Sequence, residues 1–178
     1  MDGEIAGHLP TGGDAALLAE CVRVSRDIFA DHPVNRQRIA DGKVPATQIW
    51  PWSGGKKPPQ LPSFEERYGV RGAMISAVDL LNGIARCAGM DVVTVPPGAT
   101  GYLDTDYMAK ARYAVAALET TDFVYMHVEA PDEAGHLGSV EEKVRAIERL
   151  DEAVGGYILE HVEGGVIALL PDHPTPVA

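Results

Sequence analysis

Hydrophobic positions recur at helical spacing near the start of the chain and as short apolar runs after Gly69. The first pattern predicts a helix from about Ala15 to Phe29, which Asp14 can cap. From Asn35 to Pro62 the periodicity is lost, and glycine, proline and tryptophan accumulate. That composition is typical of loops. We therefore predict one helix followed by a long irregular segment.

After a capping box from Ser63 to Glu66, the chain alternates between predicted strands and predicted helices. The strands are apolar runs, and the helices between them are amphipathic. Such strands joined by helices indicate right-handed crossovers and a mostly parallel sheet with helices on both faces. We therefore predict an α/β fold with strands at 73–77, 91–95, 123–128 and 166–170, and helices at 78–88, 104–119 and 139–161.

The change of pattern predicts two parts of the chain. Residues 1–62 are interpreted as an irregular segment with one helix, at the end of an inserted domain and its linker. Residues 63–178 are interpreted as the α/β core. The chain stops soon after its last predicted strand, so we expect a core that is truncated at its carboxyl end. An incomplete sheet leaves an exposed edge, which predicts self-association.

The composition of the chain excludes some classes of protein and some kinds of partner. The chain has 178 residues, 46% of them hydrophobic, and no apolar run near the length of a membrane span, which indicates a soluble globular domain. The absence of a signal-like start predicts a cytoplasmic protein. A formal charge of −11 without a basic run argues against nucleic acid and anionic membranes as partners. Cys21 and Cys87 form no C-x-x-C motif and are predicted to be core residues.

Two short motifs with metal-ligand side chains follow predicted strands. DEAGH, with Asp132 and His136, comes after the third strand, and PDH, with Asp172 and His173, comes after the fourth. Ligands bind parallel sheets at the carboxyl ends of the strands, so both motifs are predicted to be loops at one rim. Mixed carboxylate and imidazole ligands suit Mn²⁺, Zn²⁺ or Fe²⁺ better than Ca²⁺, and two ions can clamp a phosphoryl group. Alternatively, each aspartate caps the following turn and each histidine is an ordinary loop residue.

Three further polar residues surround the first motif. His127 lies within the predicted strand and is interpreted as a core residue or as a support for a metal ligand. Glu129 and Glu133 are either partners of ligating histidines or solvated loop acids. The sequence leaves these alternatives open.

Five segments resemble the archaeal type of bisphosphoglycerate-independent phosphoglycerate mutase, in the alkaline phosphatase superfamily. The match runs over nearly all of the chain from about residue 14. The first segment is specific to the mutase branch, whereas the DEAGH and DH elements are shared across the superfamily. The segments are HPVNRQRIADGKVPATQIWPWSGG, YGVRGAMISAVDLLNGIARCAGM, VPPGATGYLDTDYMAKA, MHVEAPDEAGHLGSVEEKVRAIERLD and PDHPTPV.

The resemblance implies an alkaline-phosphatase-like core, incomplete in this chain, that belongs to a two-metal enzyme. Such an enzyme interconverts 2-phosphoglycerate and 3-phosphoglycerate through a phosphoserine. By motif match, Asp132 and His136 ligate one divalent ion, and Asp172 and His173 ligate the other. The expected ions are Mn²⁺, Zn²⁺, Mg²⁺ or Co²⁺, and the expected partner is the small phosphorylated substrate.

The resemblance also gives Asn35 and Arg38 as candidates for substrate contact, because a bidentate arginine suits a phosphate or a carboxylate. The family's nucleophilic serine cannot be placed in this chain, so the catalytic residue stays unassigned and the isolated chain is expected to be inactive. Two alternatives stay open. One is a metal-dependent phosphatase or phosphodiesterase of the same superfamily, and the other is a non-catalytic α/β binding domain.

Overall fold

The computed structural model describes residues 5–52, 54–56, 58, 61–95 and 97–177. Contacts divide the chain into two compact units, Met1–Lys57 and Pro58–Ala178. The first unit contains a 3₁₀ turn and two helices, and the second contains a small sheet and the remaining helices. In chain order the elements are the turn Ala6–His8, α1 Ala15–Ala30, α2 Pro33–Ala40, α3 Phe64–Tyr68, β1 Gly72–Ile75, α4 Asp79–Cys87, β2 Asp91–Val92, α5 Tyr107–Ala117, β3 Phe123–Met126, α6 Ala130–His136, α7 Val140–Asp151, a π-helical stretch Glu152–Ile158 and α8 Leu159–His161.

Helix α1 of the first unit confirms the helix predicted from the apolar stripe. Asp14 stands at its N-cap position, but its side chain makes no capping hydrogen bond, so the predicted cap is wrong. Ser25 is buried on α1 and accepts a hydrogen bond from the Ile49 amide at 3.0 Å. This bond fixes part of the irregular segment against the helix, because a buried amide needs a partner.

The second unit is built on a parallel sheet with the strand order β2-β1-β3. Strand β1 is buried along its whole length, as expected for the central strand of a parallel sheet. A Cβ at Gly72 would lie 3.0 Å from side-chain atoms of both Met90 and Phe64, so glycine allows this close packing. The predicted α/β class with a parallel sheet is confirmed.

Small side chains form the core between the helices of the second unit. Alanines 111, 130, 146 and 153 are almost completely buried and cluster with Tyr107. Because alanine has only a methyl group, α6 can lie close to α7, and α5 can lie close to the π-helical stretch Glu152–Ile158. Ala130 places the first turn of the short helix α6 in this core.

The fourth predicted strand is absent from the described part of the second unit. Residues 165–170 have no regular secondary structure, and the Val166 and Leu170 side chains are 98% and 81% exposed. A strand forms only when its backbone pairs with a neighbour. Among the described residues, β3 pairs with β1 and 166–170 pairs with no strand, so the apolar run was a misleading signal.

The two cysteines lie at the surface of the protein. Cys21 and Cys87 are free and exposed, so the prediction that they are core residues is wrong. Both lie on helices whose buried faces are formed by other residues, chiefly Val22 on α1 and Ala85 on α4.

None of the helices in the described ranges combines the length and the apolar character that crossing a bilayer requires.

Candidate metal centre

The DEAGH motif lies on helix α6, not on a loop as predicted. Pro131 stands in the first turn, where its missing N–H costs nothing, and two acidic residues follow it. The helix places Asp132 and His136 on one face, because residues four apart are neighbours on a helix. The His136 Nε2 atom lies 3.3 Å from Asp132 Oδ2.

The PDH motif lies after residue 170, in a stretch without regular secondary structure. His173 Nε2 lies 3.6 Å from Asp172 Oδ2, and both side chains are more than half exposed. The Asp172 Oδ1 atom accepts a hydrogen bond from the His173 backbone amide at 2.9 Å. That bond fixes the carboxylate close to the imidazole.

Thr175 connects the two motifs. Its hydroxyl donates a hydrogen bond to Asp132 Oδ1, and its Oγ1 atom lies 3.3 Å from His173 Nδ1. Asp132 and His173 therefore contact the same hydroxyl group, and His136 and Asp172 each adjoin one of them. The structure brings the four predicted ligands into one chain of contacts.

The spacing of the four side chains fits divalent ions. Two ligand atoms about 2.1 Å from a tetrahedral ion are about 3.4 Å apart. The Oδ2 to Nε2 distances in the two pairs are 3.3 and 3.6 Å. Each pair could therefore form one edge of a coordination sphere without moving its side chains far.

Further carboxylates increase the negative charge beside α6. Ligand oxygens of Glu129, Asp132 and Glu133 lie within 4.8 Å of one another, and all three residues are half-buried. Glu129 Oε2 and His127 Nδ1 are buried 3.8 Å apart, and neither has a hydrogen-bond partner among the described residues. Unpaired buried atoms beside clustered carboxylates suit a site that binds a cation.

Lys110 is a buried cation near this cluster that the sequence interpretation missed. It is completely buried on α5, and its Nζ donates to the Thr100 carbonyl oxygen at 2.8 Å. Burial lowers the pKa of Lys110, whereas the charge of Glu129 acts to raise it. The sequence did contain a signal for this burial. Lys110 has helical spacing from positions 107, 111 and 114, which are buried on α5, and side chains at that spacing share a helix face.

Asn35 and Arg38, the predicted substrate contacts, lie on α2 of the first unit. Asn35 is 5% exposed, and its amide binds the backbone of Phe29 and of Ala46. Arg38 Nε donates to the Val44 carbonyl oxygen at 2.9 Å. Asn35 also lines a cavity of about 800 Å³ in this unit, together with residues such as Arg26, Phe29, Ile39 and Trp50. The bonds to Asn35 and Arg38 stabilise the irregular segment, and their contact with substrate stays a prediction.

Comparison with known proteins identifies related sequences. The Metalloenzyme superfamily model matches residues 25–178. The chain is 53% identical to the 2,3-bisphosphoglycerate-independent phosphoglycerate mutase 2 of Methanothermobacter thermautotrophicus, over 97% of this chain and 43% of that protein. It is 51% identical to a probable 2,3-bisphosphoglycerate-independent phosphoglycerate mutase of Geobacter sulfurreducens, over 97% of this chain and 44% of that protein. These matches confirm the resemblance found in the five segments.

The fold also has a solved relative. The structure of the PH0037 protein from Pyrococcus horikoshii superposes with a TM-score of 0.70 and 40% identity. The superposition covers 84% of this chain and 39% of that one. The chain thus spans less than half the length of the curated relatives and of the solved structure that it matches.

Proposed function

Because the chain belongs to the metalloenzyme superfamily, we propose that its second unit binds two divalent metal ions for a phosphoglycerate mutase. Asp132 and His136 would hold one ion, and Asp172 and His173 the other. The observation that carries this proposal is the pair of carboxylate–imidazole contacts at 3.3 and 3.6 Å, joined by one threonine hydroxyl. The names of the relatives support a phosphoglycerate mutase reaction. The resemblance implies that this reaction interconverts 2-phosphoglycerate and 3-phosphoglycerate.

The ligand set favours certain ions. One carboxylate and one imidazole for each ion suit Mn²⁺, Zn²⁺ or Co²⁺, and Mg²⁺ would bind with more of its water retained. When bound, such ions neutralise and polarise a phosphoryl group. The carboxylates of the chain would hold these ions. The positive charge of the ions would then offset, at the site, the formal charge of −11 that otherwise repels an anionic substrate.

The two units would have different tasks. The second unit would bind the ions. The first unit, taken by itself, offers Arg38 as a contact for a phosphate or a carboxylate, with Asn35 holding the segment after α2 in place. In this assignment the described residues supply two ligands for each ion, whereas catalytic sites usually have three from the protein. We therefore propose that the chain by itself binds metal weakly and does not turn over phosphoglycerate. As a glycolytic activity, the reaction would take place in the cytoplasm.

Calorimetric titration of the metal-free chain with Mn²⁺ and with Zn²⁺ tests the proposal. We expect Asp132→Ala and Asp172→Ala each to remove one binding event, because each removes the carboxylate of one pair. Asp104→Ala is the matched control, since Asp104 is an exposed acid of the same unit that belongs to neither pair. Equal binding by all four proteins would refute the proposed centre.

A further inference from the structure

Thr175 occupies an unusual position between the two metal-ligand pairs. Its hydroxyl contacts Oδ1 of Asp132 and Nδ1 of His173. The short contacts within the pairs use the other atoms, Oδ2 of Asp132 and Nε2 of His173. The hydroxyl therefore binds both ligands through the atoms that a metal ion would not use.

The neighbouring groups define the direction of these hydrogen bonds. His173 Nδ1 also lies 3.3 Å from the Pro174 carbonyl oxygen, which can only accept a hydrogen bond. The proton of the neutral imidazole therefore belongs on Nδ1, and Nε2 keeps the lone pair that a metal requires. Thr175 can accept from Nδ1 and donate its own proton to the Asp132 carboxylate.

The backbone of Thr175 is held independently of its side chain. Lys143 on α7 donates a hydrogen bond from Nζ to the Thr175 carbonyl oxygen. On α6, Gly135 leaves room for the same carbonyl, because a Cβ there would lie 2.5 Å from it. Helices α6 and α7 thus place Thr175 beside Asp132.

We propose that Thr175 is a positioning residue, which orients Asp132 and fixes the His173 tautomer for metal binding. This inference rests on the proposed function, since it assigns Thr175 a task only if the two motifs bind metal. Partners that orient metal ligands in this way are worth about 10- to 100-fold in metal affinity. The chemical requirement is a hydroxyl, which both accepts and donates, so serine should replace threonine and valine should not.

Mn²⁺ titration of the full chain compares Thr175→Val with Thr175→Ser. We expect the valine variant to bind about 10- to 100-fold more weakly and the serine variant to stay within about threefold of the unaltered chain. Thr120→Val is the matched control, because Thr120 is exposed at the end of α5 and makes a hydroxyl bond only to its own helix among the described contacts. A second readout is the ¹⁵N spectrum of the His173 imidazole without metal. We expect the Nδ1–H form to be dominant in the unaltered chain and less populated in the valine variant, because one of the two acceptors near Nδ1 is removed.

The outcomes separate this inference from the proposed function. If Asp132→Ala weakens binding and Thr175→Val does not, the centre stands and the positioning role of Thr175 is refuted. Equal losses in the valine and serine variants, with an unchanged imidazole spectrum, would also refute it, since the hydroxyl would then not matter. If Asp132→Ala itself has no effect, the metal centre fails, and this inference fails with it.

Discussion

Gly135→Ala is the most direct probe of the contact between α6 and the segment that carries Asp172 and His173. The added methyl would lie 2.5 Å from the Thr175 carbonyl oxygen and 2.8 Å from its Cγ2, where ordinary contacts begin at 3.4 Å. One of the obstructing atoms is backbone, so a side-chain rotation cannot relieve the clash. Either α6 or the segment must move.

The expected loss follows from two opposing effects. Inserting a methyl into a packed site costs about 1–3 kcal/mol, and alanine in place of a helical glycine returns about 0.5–1 kcal/mol. We therefore expect Gly135→Ala to lower the free energy of unfolding by up to about 2.5 kcal/mol. Urea unfolding of the chain, followed by circular dichroism, measures the difference.

Gly83→Ala provides the matched control. Gly83 lies inside α4, and no atom of the described residues lies within 4 Å of the position that its Cβ would take. The same substitution there should stabilise the chain by about 0.5–1 kcal/mol through helix propensity alone. If Gly135→Ala stabilised the chain as much as the control, the close approach of Thr175 to α6 would be refuted.

Two other predictions concern the rest of the second unit. Burial lowers the pKa of Lys110 from 10.5, so between the lowered pKa and 10.5 the unfolded chain binds more protons than the folded chain, and the free energy of unfolding should rise with pH. Urea unfolding at increasing pH should show this rise in the unaltered chain but not in Lys110→Met. Parallel pH dependences of the two proteins would contradict the prediction. Leu169 and Leu170 are 66% and 81% exposed, so we expect the chain to self-associate through them. Replacing both leucines with lysine should make the chain monomeric in sedimentation velocity. Equal association of both proteins would rule out these leucines as the surface of self-association.

Local signals predicted the elements that depend on local interactions. The apolar stripe gave α1, and the Ser63–Glu66 capping box forms as expected, because both depend on residues a few positions apart. The apolar run of β1 gave a buried central strand. Those elements, the parallel sheet and the helices predicted at 78–88, 104–119 and 139–161 are the part of the fold that the sequence could predict.

The remaining features depend on contacts between distant residues. The run from Val166 to Leu170 has the composition of a strand, but pairing requires a neighbouring strand that no local pattern reveals. The DEAGH motif was predicted to be a loop, whereas it lies on α6, where Gly135 leaves space for a carbonyl forty residues later in the chain. Thr175 itself was overlooked, because a threonine has no ligand signature until its partners are seen around it.

The position of bound metal tests the central claim most directly. Crystals of the chain soaked in Mn²⁺ would be measured near the manganese absorption edge, and the anomalous difference map would locate the ions. We predict peaks at bonding distance, about 2.0–2.2 Å, from Asp132 Oδ2 with His136 Nε2 and from Asp172 Oδ2 with His173 Nε2. Manganese bound elsewhere, with no peak at either pair, would contradict the proposed metal centre.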